Sequence, residues 1–272
     1  MIQSLADLPI PGSIIGMTSG NENFTIRDNI FRYGSQGVLA SGSGYPARSQ
    51  NLVIENNVFY NQRNIGIDVH NQRNFTVRNN TVFKNIPNVI TYLGIDVTDV
   101  NESNEISGNT ITLQTGGHGI NINSANNILG EINRTKTFNN MIYTSNGMGI
   151  KLWNSVRSDL SFNNINSQGP DFDDYAFEIV GGDSNYIKNN IFVANAAKAF
   201  SGTLSNPLFT ISDYNNLVSN GPNIGFWNNT NYSDLPSWRT GTWFDLNSIS
   251  VDPLFISSTD LHVLADTLNE AG

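Results

Sequence analysis

The side chains able to move a proton or hold a cation are few in this chain of 272 residues: 14 Lys+Arg, 23 Asp+Glu and 3 His. Several fall at one position of a recurring Gly-Ile-x-Val pattern. That position carries Asp68, Asp96, Asn121, Lys151 and Glu178 in successive copies, and the position two residues on carries His70, Thr98, Asn123 and Trp153. Asp99 and His118 flank them. Two carboxylates on neighbouring copies do not both ionise freely, so Asp68 and Asp96 imply either a raised pKa or a cation between them. With Asp99 they form a candidate metal site, and a hard cation such as Ca2+ would also take amide oxygens from Asn121 and Asn123. The same two carboxylates suit the acid–nucleophile pair of a retaining glycosidase, which needs a separation of about 5 Å. Lys151 is the candidate base of a lyase, with His70 and His118 as candidate proton donors. Trp153 offers a flat face to a sugar ring, and Asn121, Asn123 and Glu178 are further candidate substrate contacts. The competing reading is a solvated sheet face on which charges alternate to avoid repulsion.

The elements that would position these groups are visible as repeats. Phe24-Thr-Ile-Arg-Asp-Asn29, Leu52-Val-Ile-Glu-Asn-Asn57 and Phe75-Thr-Val-Arg-Asn-Asn80 align without gaps, and weaker copies close on Asn109, Asn140, Asn164, Asn190 and Asn216. The period is about 27 residues. Between these copies lie Gly37-Val-Leu-Ala, Gly66-Ile-Asp-Val, Gly94-Ile-Asp-Val, Gly119-Ile-Asn-Ile and Gly149-Ile-Lys-Leu. Both segments alternate apolar and polar residues, the period of a half-buried strand, and no window keeps helical spacing for three turns. Short strands, no helix and a fixed period predict an all-β solenoid of parallel strands, each winding stacked on the last at about 4.8 Å.

Composition agrees. Asparagine occurs 43 times, although it favours neither helices nor strands. At a corner between strands it tolerates left-handed backbone, and its amide can bond the copies above and below as a ladder. With 38% hydrophobic and 10% aromatic residues the chain is too apolar for disorder. The absence of cysteine excludes disulfides and thiolate chemistry, and a net charge of −9 argues against nucleic acid as a partner. No run is long and apolar enough to span a membrane.

The repeated NxFTIRNNxF and GIxV segments resemble the right-handed parallel β-helix, pectate-lyase-like superfold of bacterial secreted and surface proteins. That resemblance implies coils over residues 21–220, a lead-in at 1–20 cut from a longer rod, and a loop-rich closing segment at 221–272. The run Asp252-Pro-Leu-Phe255 with Asp260-Leu-His262-Val-Leu264 resembles the closing segment of such proteins. Gly117-His118-Gly119 and Gly149-Ile-Lys151 resemble two strands of polygalacturonase-type glycoside hydrolases, with Ile65 and Leu93 standing where those enzymes carry aspartates. The resemblance implies an extracellular or cell-surface protein, monomeric, acting on or binding a polysaccharide: a uronate lyase or glycoside hydrolase, or else a non-catalytic stalk, adhesin or glycan-binding module.

Overall fold

The computed structural model describes residues 2–3, 12–18, 20, 22–44, 48–87, 91–127, 132–171, 174–204 and 209–269. Each winding of the chain contributes one strand to each of three sheets, of eight, nine and ten strands among the described residues, parallel throughout except for the last strand of the ten-stranded sheet. One winding runs Thr76–Arg78, Thr81–Lys84, Leu93–Thr98 and then Asn104–Ser107 of the next. Stacking already includes Ser13–Thr18, which pairs with Gln36–Ser41. The expected parallel solenoid with windings of about 27 residues is the architecture found.

The strands alternate as their sequences require, and the inward residues stack in files. One file runs Phe31, Phe59, Val82, Ile111, Ile142, Ile165, Phe192 and Leu217, residue over residue. The Phe31 and Phe59 rings lie 4.8 Å apart and nearly parallel. The glycine of the Gly-Ile-x-Val strand is set by close approach: a Cβ on Gly94 would stand 2.5 Å from the Gly119 carbonyl oxygen and 2.9 Å from an Ile111 methyl. That space belongs to the neighbouring strand of the same sheet and, across the core, to the nine-stranded sheet.

Asparagine does two jobs at the corner between the eight- and nine-stranded sheets, in two adjacent columns. The first column has left-handed backbone and holds Asp28, Asn56, Asn79, Gly108, Asn139, Phe162, Asn189 and Tyr214. The second is the ladder: Asn29, Asn57, Asn80, Asn109, Asn140, Asn163, Asn190 and Asn215, each Nδ2 donating to the Oδ1 of the next at 2.9–3.2 Å. The same Oδ1 accepts the backbone N–H of the preceding ladder residue, and from Asn57 onward Nδ2 also reaches a strand carbonyl of the previous winding. The ladder therefore satisfies buried polar groups that no strand pairing reaches. The sequence expectation of Asn164 and Asn216 as ladder members is corrected by one residue, to Asn163 and Asn215. In those two copies an aromatic residue fills the left-handed position, so the first Asn of the pair is the ladder amide. Asn164 and Asn216 point outward and tether the C-terminal segment through the carbonyls of Leu261 and Val251.

Residues 225–242 fold over the end of the rod. A short hairpin, Gly225–Trp227 with Thr230–Tyr232, leads to helix α1, Leu235–Thr242. Asp234 caps it in a reciprocal capping box with Ser237. This helix sits in a stretch that reads as loops in the sequence. It sets Trp238, with no exposed surface, against Phe200, Trp227 and Tyr232.

Candidate functional site

The Gly-Ile-x-Val strands all lie in the ten-stranded sheet, so register decides which side chains meet. Asp68 and Asp96 are direct partners, followed by Asn121, Lys151 and Glu178. His70, Thr98, Asn123 and Trp153 form the adjacent file on the same face. The sequence places these two columns correctly but not their environment: Asp68 is only 3% and Asp96 8% exposed, so this part of the face is not a solvated wall.

Asp68, His70 and Asp96 converge. One ligand atom from each lies within 4.8 Å of the others. His70 Nε2 abuts Asp68 Oδ1 and stands 3.7 Å from Asp96 Oδ2. Each carboxylate is braced on its far oxygen by an amide: Gln36 Nε2 donates to Asp68 Oδ2 at 2.7 Å, and Asn121 Nδ2 to Asp96 Oδ1 at 2.6 Å. Contact with the Asp68 carboxylate, then with Asp96, pushes the imidazole pKa up to about 10, against the pull of burial. Yet Asp68 Oδ1 and His70 Nε2 are buried without an aligned hydrogen bond. A divalent cation there would take the place of the imidazole proton and neutralise both carboxylates. Two carboxylates with one imidazole nitrogen suit zinc or manganese better than calcium, which prefers an all-oxygen shell.

Asp99 does not join this cluster. It occupies the left-handed turn that ends the strand, equivalent to Asn71, Ser124 and Asn154 in neighbouring windings, and is exposed. Its side chain therefore leaves the face on which Asp96 sits, and His70 takes the third position. Gln36 is absent from the sequence-derived set. It sits on the winding before Asp68 but in register with Ile65, three residues earlier, and its diagonal reach is a matter of side-chain length that spacing does not encode.

Two of the groups read as proton carriers, Lys151 and His118, are engaged elsewhere. Lys151 Nζ pairs with Glu178 Oε2 at 2.9 Å and lies 4.5 Å above the Trp153 ring. His118 Nδ1 accepts the Met148 backbone N–H at 3.0 Å, which places its proton on Nε2. Burial, and then the Lys151 charge, push the His118 pKa down to about 4. Asn121 is committed to Asp96, while Asn123 accepts from the Ser124 hydroxyl at 3.0 Å. Trp153 is 44% exposed beside them. The face can thus hold a cation at one end and present an amide, a tryptophan and an ion pair along the next three windings.

Residues 11–133 match the family model described as right handed beta helix region. No curated protein and no solved structure matches the chain significantly. Among the described residues, no helix is long and apolar enough to cross a membrane.

Proposed function

We propose, for a chain that is a right-handed parallel β-helix, that the ten-stranded face binds a polysaccharide outside the cell or at its surface, without cleaving it. The fold itself supports a carbohydrate-active or surface role only in general terms. The observation that carries the finer reading is the convergence of Asp68, His70 and Asp96 on the face that also exposes Trp153, with Lys151 and His118 already bonded. A divalent cation on the carboxylates would offset the acidity of the face toward a uronate-bearing glycan. Asn123 and Trp153 would hold successive sugar rings, and Glu178 would keep Lys151 aligned over the indole. Because one file of windings holds all these groups, a monomer suffices.

The test uses protein stripped with EDTA. Calorimetric titration with Zn2+, Mn2+ and Ca2+ should show binding of Zn2+ or Mn2+, weakened at least tenfold in Asp68→Asn and Asp96→Asn. Trp153→Ala should weaken binding to pectin or alginate at least tenfold and leave cation binding unchanged. If no cation binds and Trp153→Ala has no effect on either glycan, the face is not the site. Release of unsaturated product that disappears in Lys151→Ala would replace binding by lyase chemistry.

A further inference from the structure

A cleft of about 300 Å3 opens at the asparagine corner, away from the ten-stranded face. The outermost column of its floor reads Phe162, Asn189, Tyr214 on three successive windings, with Leu268 of the C-terminal segment opposite. Phe162 and Tyr214 are 51% and 55% exposed. Both hold left-handed backbone, with φ of 56° and 58°. Elsewhere this column uses Asp, Asn or Gly, residues that adopt that conformation readily, whereas a bulky aromatic resists it. The corner thus departs from its own rule at two places, both on the rim of one cleft, and in each case the departure leaves an aromatic face in solvent. Strained backbone held by a rigid scaffold is where a binding function is to be sought. Between the rings, the Asn189 side-chain amide makes no hydrogen bond within the described residues. Among the described residues, the lining includes no carboxylate, ammonium or guanidinium group.

We infer that this cleft is a second glycan-binding site, selective for a neutral, extended β-1,4-linked oligosaccharide. Phe162 and Tyr214 are two windings apart, about 9–10 Å along the rod, comparable to the disaccharide repeat of such a chain. Aromatic faces take the apolar faces of sugar rings, and the Asn189 amide takes the hydroxyls between them. An uncharged lining matches an uncharged ligand, in contrast to the ten-stranded face. The inference shares with the proposed function only the class of ligand; no residue is common to the two sites.

The decisive variant is Phe162→Asn with Tyr214→Asn, which restores the residue the column otherwise prefers. Its thermal stability should equal or exceed that of the wild type, while affinity for cellohexaose, read by calorimetry, should fall at least tenfold. Trp153→Ala and Asp68→Asn should leave cellohexaose binding unchanged, which separates failure of this site from failure of the face. The inference is overturned if the wild type does not bind cellohexaose, if the double variant binds it equally well, or if trigalacturonate binds more tightly at this corner.

Discussion

A histidine on a sheet face is an ambiguous sign until its second nitrogen is accounted for. His118 and His70 share a face and are driven in opposite directions, the first by burial and a nearby ammonium, the second by two carboxylates. For His118 the folded value of about 4 lies below the ordinary 6.5, so its contribution to stability is complete above pH 6.5 and is lost as pH falls toward 4. A shift of this size corresponds to at most about 3 kcal/mol. Proton NMR should show the His118 ring still neutral at pH 5, and His118→Gln should flatten the acid limb of the stability curve between pH 6.5 and 4. A ring titrating near 6.5 would mean that the Met148 bond and the burial are wrong. Much of the site at this scale was readable: period and alternation put Asp68 with Asp96, and Lys151 with Glu178. Burial of the carboxylates and the diagonal reach of Gln36 were not, because they depend on how side chains from separate windings cover one another.

The corner is where an element-level rule can be tested by single residues. Removing Asn140 should leave the buried Asn109 backbone N–H without its partner, cut the Asn109 amide back to its bond with the Val77 carbonyl, and take one donor from the Ile106 carbonyl. At about 1–3 kcal/mol for the unsatisfied N–H and about 0.5–1.5 for each of the two other lost bonds, Asn140→Ala should destabilise by roughly 2–6 kcal/mol in chemical denaturation. Neighbouring asparagines make a sharper comparison. Asn163 has no exposed surface and bonds Asn190 and the Thr137 carbonyl, whereas Asn164 holds only the Leu261 carbonyl of the tail. Asn163→Ala should therefore cost several-fold more stability than Asn164→Ala; equal costs would return the ladder to the position suggested by the closing asparagine. The existence of the ladder was legible because amides recur with the period of the coil. Its register was not legible at Asn163 and Asn215, because Asn-Asn pairs look alike whether the left-handed residue is the first asparagine or the aromatic before it.

At the scale of the whole rod, stability should be a sum over windings and the contacts between neighbours, so damage stays local. The C-terminal end joins two devices on one residue pair. Trp238 fills the last winding, and its Nε1 donates to Asp245 at 2.9 Å. The Asp245 carboxylate also accepts from Asn215 at 2.9 Å, and so receives the final amide of the ladder. Burial pushes its pKa up while these donors oppose the shift. Plug and ladder thus end on the same buried carboxylate. The sequence carries a usable signal for α1 in Asp234, Pro236 and Ser237, the N-cap, first-turn proline and box partner of a helix start. At two turns, however, the helix is too short for its apolar spacing to stand out against strands. Trp238→Ala removes a fully buried indole, which should cost about 3–5 kcal/mol. Because neighbouring windings are coupled far more strongly than distant ones, hydrogen exchange should accelerate over residues 200–245 and leave the strands carrying Asp68 and Asp96 as protected as before. The exposed last winding should also drive self-association, visible by light scattering, since an uncovered strand edge invites pairing. Uniform loss of protection along the chain would show that the windings unfold as one cooperative block, and that the closing segment holds the entire rod rather than its end.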